Sequence, residues 1–234
     1  MGAFYYVEFL LSAAACVFHA LFLHRNYTAI LTDGISGALL GSQPYNHFLE
    51  LRVGSALAVP VALPAAYLAF VYFGAWLLPL IFTSKEKYPK LAGAADAYNL
   101  YSAGLSAVMT FLFVREFLGW GVSSGNPFTL RYSAARHGNA WAAALWLNYQ
   151  SKFIEYADTA FILFKGNADK QLSHLHVIHH VEMGPLMFLF CTVMPGGQSA
   201  FGPMINSLVH LLCVARRALA ARARAARPAP NNCV

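Results

Sequence analysis

Four histidines crowd the stretch QLSHLHVIHHVEM: His174, His176, His179 and His180 stand at the head of a run that is otherwise oily and almost uncharged. Imidazole suits an apolar setting because it can stay neutral there and still act as base, nucleophile or metal ligand. His176, His179 and His180 are spaced i, i+3, i+4, so a helix turns all three to one side. Just upstream, KFIEYADTAF places Lys152, Glu155 and Thr159 at i, i+3 and i+7, on one helical face with Asp158 beside them. Ionisable groups inside a membrane span are costly unless they pair or reach water. Two arrangements meet that cost: a buried Lys152–Glu155 ion pair, or a polar cavity that positions a charged substrate or a catalytic imidazole. The cavity is the expected one. Asn206 and His210, i and i+4 in MINSLVH, form a further polar stripe that gains meaning if it faces the same cavity.

The elements that must carry these residues are membrane helices. The 234 residues are 58% hydrophobic and 11% charged, with a mean hydropathy of +0.49, well away from the near-quarter charged content of soluble domains. A helix crosses the hydrocarbon with roughly 20 apolar residues. Spans are expected at Val53 to Phe82, Ala94 to Leu118, Ala140 to Phe164, Leu172 to Met194 and Phe201 to Val214, with an N-terminal apolar segment at Ala3 to Leu23 as an extra helix or an interfacial lead-in. Pro60, Pro64 and Pro79 fall inside the first of the five, where proline frees backbone carbonyls. The domain plan is an N-terminal segment with its connection (1–52), a helical membrane domain (53–214) and a basic Ala/Arg/Pro-rich tail (215–234), expected to be solvated or bound at lipid headgroups.

The net charge of +6 does not form the aromatic-interleaved stripe of a nucleic-acid binder, so no nucleic acid is expected as a partner. Cys16, Cys191, Cys213 and Cys233 are too scattered for a zinc site or a disulfide framework. Lys85, Lys87 and Lys90, then Lys165 and Lys170, then Arg216, Arg217, Arg222, Arg224 and Arg227 follow alternate spans, which puts them on one face. Cytoplasmic loops are enriched in such residues, so this face and the tail are expected in the cytoplasm, and the N-terminus outside unless the first segment also spans.

Read in order, the motifs resemble the ELO family of fatty-acid elongases. The resemblance runs from about Pro64 to Leu212: YLAFVYFG, Tyr98-Asn99-Leu100, K-x-x-E-x-x-D-T-x-F at Lys152 to Phe161, Gln171 and Leu175 leading into H-x-x-H-H at His176 to His180, and N-S-x-V-H at Asn206 to His210. It implies a seven-helix bundle, six helices of which form a barrel around an acyl tunnel, in the endoplasmic reticulum membrane. Five or six spans are expected in this chain. The implied reaction condenses malonyl-CoA with a long-chain acyl-CoA to give 3-ketoacyl-CoA, carbon dioxide and CoA, with no cofactor. By the same resemblance His179 is the nucleophile, while His176, His180 and His210 support acyl transfer and the carbanion. Asp158 and Glu155 orient imidazoles, Lys152, Lys165 and Gln171 hold CoA or the thioester, and Asn206 joins the substrate contacts. Basic, anion-attracting groups beside an apolar tunnel suit substrates that are anionic at one end and greasy at the other. Other elongation enzymes, or a second copy of the chain, are the expected protein partners.

The sequence departs from the family pattern at His174, Ile178, Glu182 and Pro185, and Lys165 is the lone basic residue directly after the D-T motif. From Cys213 the family's M-Y-x-Y-Y stretch gives way to the Ala/Arg tail, so the expectation is a barrel without its last helices. Two competing readings follow: a non-catalytic, truncated ELO-like membrane subunit, and a membrane di-iron enzyme. The second is disfavoured because His19, His24, His47 and His137 stand alone instead of forming further histidine boxes. No metal site is expected.

Overall fold

The computed structural model describes residues 3–33, 53–82, 91–124, 139–193 and 197–225. Lys85, Lys87, Lys90, Arg52, Arg131, Arg136, Arg227, His47, His137 and Cys233 lie outside these residues. The described residues form α1 (Ala3–Asp33), α2 (Val53–Ile81), α3 (Ala92–Ser124), α4 (Ala140–Ile154), α5 (Tyr156–Phe164), α6 (Ala168–Gln171), α7 (His174–Val193), a 3₁₀ turn (Gly197–Ala200) and α8 (Phe201–Ala225). The architecture is that of an all-α polytopic membrane protein. Helices α1, α2 and α3 each contain a stretch long and apolar enough to cross a bilayer: Phe4–Thr32, Pro60–Ile81 and Ala92–Gly119.

Helix α4 is the centre. Every residue from Trp141 to Tyr149 is buried, as expected of a helix surrounded by others. Helices α1, α3, α7 and α8 pack on it, α2 lies against α7 and α5, and α3 also meets α8. The outward faces carry large apolar side chains, among them Phe4, Phe18, Leu100, Phe111 and Leu175. In water such a surface would be a liability; against lipid it is the required one.

The N-terminal segment is longer and more firmly docked than the sequence suggests. Helix α1 runs to Asp33, not Leu23, and lies parallel to α3. Tyr5 Oη donates to Asp96 Oδ2 at 2.8 Å, Ser12 Oγ to the Ala94 carbonyl at 3.2 Å, and the Gly93 amide to Glu8 Oε2 at 3.3 Å. Further along, His19 Nδ1 lies 2.6 Å from the Tyr101 hydroxyl, and Asn139 Nδ2 at the head of α4 donates to the Leu31 carbonyl at 3.1 Å. The beginning of α1 is therefore beside the beginning of α3, the helix that follows Lys85, Lys87 and Lys90 in the chain. If charge bias puts that face in the cytoplasm, the first turn of α1 is there too.

Gly93 is what lets the two helices touch. A Cβ at this position would come 2.2 Å from the Tyr5 carbonyl oxygen and 2.9 Å from the Phe9 amide nitrogen, both backbone atoms that cannot rotate away. Gly93→Val is expected to push α1 off α3 and destabilise the protein by about 1–3 kcal/mol, as overpacking does. A lowered thermal unfolding midpoint in detergent, with faster proteolysis within α1, would register it; an unchanged midpoint would mean that α1 is not seated here.

Two further elements differ from expectation. The Ala140 to Phe164 span is not one uninterrupted helix: Glu155 lies in a turn, where the Asp158 amide bonds back to the Glu155 carbonyl at 3.1 Å. In addition α8 does not stop at Val214 but continues to Ala225, because alanine and arginine are among the best helix formers. The described part of the basic tail is thus a continuation of the last helix.

Candidate active site

The hitch at Glu155 separates two polar clusters. N-terminal to it, Asn148, Ser151 and Lys152 project from α4 toward α8. Lys152 is 2% exposed, and its Nζ donates at 2.7 Å both to Glu155 Oε1 and to Asn206 Oδ1. Ser151 Oγ lies 3.2 Å from the same Glu155 oxygen. One turn earlier, fully buried Asn148 donates to Ser207 Oγ at 3.1 Å, and Ser207 donates to the Pro203 carbonyl at 2.9 Å. A charged pair removed from water needs this kind of hydrogen-bonded surround to repay its desolvation. The second oxygen, Glu155 Oε2, is buried with no hydrogen-bond partner among the described residues.

C-terminal to the hitch, Thr159 faces α7 and α2 instead. Its Oγ1 is 2.8 Å from His176 Nε2 and 3.0 Å from the Tyr67 hydroxyl. His180 is buried among aromatic rings: His176 at 4.5 Å between centroids, His179 at 5.6 Å, Tyr67 at 5.7 Å and Tyr156 at 6.0 Å. Tyr67 stacks on Tyr156 at 4.5 Å, closing the far side. The helical spacing of the box therefore gives three different environments: His176 is held by a hydroxyl, His180 is walled in, and His179 is half-buried with an edge contact to His180.

Two clefts open beside these clusters. The inner one, about 180 Å³, lies between α3, α4, α5 and α8 and is lined by Tyr98, Asn99, Glu155, Asp158 and His210 among others. The outer one, about 470 Å³, is lined by Asn99, Asp158, Lys165, Gln171 and His176, with apolar neighbours. Asn99 and Asp158 belong to both, so the clefts adjoin there. Lys165, Gln171 and His176 line the outer cleft, His210 and Glu155 the inner one, and Asp158 both.

The structure thus brings His210, Glu155 and Asp158 together at one cleft, and Asp158, His176, Lys165 and Gln171 at the other. Lys152 and Asn206 bond each other, and neither they nor His179 and His180 are among the residues that line these two clefts. The ion-pair and cavity arrangements for the Lys152 motif coexist, since Glu155 serves both. The orienting partner seen on His176 is the Thr159 hydroxyl rather than a carboxylate. Tyr67, Tyr156, Asn148 and Ser207 went unassigned in the sequence. Asn148, one amide in an apolar run, was the one with a readable signal; the role of Tyr67 depends on a helix 92 residues away.

Fold and site together define a polytopic membrane protein whose polar chemistry is buried inside a helical bundle. The ELO family, described as GNS1/SUR4, matches residues 53–230, and the chain belongs to it. That match extends past both ends of the Pro64 to Leu212 region and leaves α1 outside. The chain is 30% identical to very long chain fatty acid elongase 4 of Homo sapiens over 155 residues, covering 65% of this chain and 46% of that protein. It is 30% identical to very long chain fatty acid elongase 2 of Rattus norvegicus over 164 residues (70% and 57%) and 29% identical to very long chain fatty acid elongase 1 of Homo sapiens over 174 residues (72% and 60%). The chain spans about half the length of the relatives it matches.

Proposed function

We propose that the chain carries the condensing site of a fatty-acid elongase in the endoplasmic reticulum membrane. The observation that supports it most is the junction of the histidine box with the D-T motif through Thr159 and His176 at 2.8 Å, beside a cleft that His210 shares with Glu155 and Asp158. The D-T motif and the histidine box, joined by a short connection, meet beside two adjoining clefts, one of which His210 lines.

In the proposed reaction a nitrogen of His179 attacks the acyl thioester carbon, the carbon–sulfur bond breaks, and CoA leaves as a thiolate that takes up a proton. Malonyl-CoA then loses carbon dioxide, and the electron pair of the broken carbon–carbon bond attacks the acyl-imidazole carbon. Imidazole departs and 3-ketoacyl-CoA remains. Decarboxylation supplies the driving force, so no cofactor is invoked. Lys165 and Gln171 receive the anionic CoA portion, and His210, Asp158 and Glu155 line the region where the carbanion forms. Lys152 and Asn206 act indirectly, by fixing Glu155.

The test is condensation by the purified chain in liposomes, with malonyl-CoA labelled at C2 and a panel of long-chain acyl-CoAs. Label in 3-ketoacyl-CoA, with one carbon dioxide released per product, is the expected result. A well-inserted chain that makes none, yet co-purifies with an active elongase, would sink the catalytic reading and leave a non-catalytic subunit in its place.

A further inference from the structure

The geometry points to Tyr67 and Thr159 as positioning residues that lock His176 in the tautomer with its proton on Nδ1, so that His176 donates a hydrogen bond in the outer cleft and does not act there as a base. This rests on the elongase reading for its chemistry but not for its geometry.

The three groups form a chain: Tyr67 Oη to Thr159 Oγ1 at 3.0 Å, and Thr159 Oγ1 to His176 Nε2 at 2.8 Å. Thr159 is fully buried and Tyr67 is 3% exposed, so water is not at hand to satisfy either hydroxyl. A buried donor without an acceptor forfeits its full desolvation cost. Suppose His176 carried its proton on Nε2 and gave it to Thr159. Thr159 would then either pass its own proton to the Tyr67 oxygen, leaving the Tyr67 proton without an acceptor in this chain of contacts, or accept from both neighbours and leave its own proton without one. The opposite polarity leaves no such orphan: Tyr67 donates to Thr159, Thr159 donates to the Nε2 lone pair, and the His176 proton stays on Nδ1.

Tyr67 is itself held. It stacks on Tyr156 at 4.5 Å between centroids and lies 5.7 Å from the His180 ring, so its hydroxyl cannot swing away without opening the aromatic wall around His180. With Nε2 occupied, His176 has a proton to present and no lone pair to offer. It lines the outer cleft beside Asp158, Lys165 and Gln171, the route by which a thioester would enter. A fixed N–H there suits a thioester oxygen on which charge develops, the kind of preorganised donor that stabilises acyl-transfer intermediates. His176 and His179, three residues apart, then have opposite duties: one donates a hydrogen bond and the other attacks.

The decisive measurement is a long-range proton–nitrogen correlation spectrum of the imidazoles in micelles, with His176→Gln used to assign the signal. Wild-type His176 is expected to be protonated on Nδ1, and Thr159→Val, which keeps the shape but loses the hydroxyl, to bring out the Nε2 form. In the condensation assay Thr159→Val and Tyr67→Phe are expected to lower kcat by about 10–100-fold, the size of one orienting hydrogen bond, with KM nearly unchanged. Thr159→Ser should restore both spectrum and rate. A wild-type signal from Nε2–H, or a Thr159→Val protein with an unaltered spectrum, would overturn the assignment. If the wild type makes no 3-ketoacyl product, the elongase reading falls while the spectrum still decides the tautomer.

Discussion

Alanine in place of His179 is expected to abolish condensation, lowering kcat/KM by about 10³-fold or more, as loss of a covalent nucleophile does. The environments of the three box imidazoles single it out. His176 is engaged by Thr159 through Nε2, and His180 is 6% exposed inside an aromatic enclosure, where an acyl group would have to displace Tyr67 or Tyr156. His179, half-buried as His176 is, lies one helical turn on from it. Mass spectrometry of wild-type chain incubated with acyl-CoA alone should find the acyl group on His179, and should find none in the alanine variant. The competing site is His210, which lines the inner cleft with Glu155 and Asp158. An acyl adduct mapped there, with His179→Ala still labelled, would move the nucleophile to α8 and reduce His179 to support.

Much of this was legible in the sequence, for reasons that can be named. Imidazoles at i, i+3, i+4 must share a side of a helix, and low charge over long apolar runs leaves little alternative to membrane helices. The meeting of the histidine box with the preceding motif followed from a short connection, and Thr159 does contact His176. What could not be read depended on partners remote in the chain. Nothing local to Lys152 says that its ammonium will be taken by Asn206, 54 residues on, and nothing local to Tyr67 predicts a bond to Thr159. The hitch at Glu155 escaped because no glycine or proline marks it. Helix α1 outruns the apolar segment that ends at Leu23: Asn26 Nδ2 and Thr28 Oγ1 bond back to the carbonyls of Phe22 and His24 at 2.8 and 3.1 Å, and the helix carries on. The Ala/Arg-rich tail has few large apolar anchors and is therefore expected to be solvated or bound at headgroups, yet its alanine and arginine content carries the last helix on to Ala225.

The buried cation carries the second large effect. Lys152→Met keeps the length of the side chain and removes the charge, leaving Glu155 Oε1 with Ser151 as its remaining neighbour and Oε2 still unpartnered. Breaking a buried pair from one side costs about 3–5 kcal/mol, because the surviving charge is stranded. The thermal midpoint in detergent should therefore fall steeply, and the yield of folded protein with it. Removing both charges is different: a Lys152→Met, Glu155→Gln protein has no stranded ion, and most of the lost stability should return. Activity should not return with it. Glu155 lines the cleft beside His210 with an oxygen that takes no hydrogen bond from any described group, whereas the Lys152 ammonium is taken up by Glu155 and Asn206 and Lys152 is not among the residues lining either cleft. The pair is therefore asymmetric: Lys152 fixes the carboxylate by one oxygen, and the other is left for whatever enters. A double variant that is stable and inert fits this division of labour. One that is stable and active would show that Glu155 is there for the fold alone, and the search for the group that steadies His210 would pass to Asp158, which lines the same cleft.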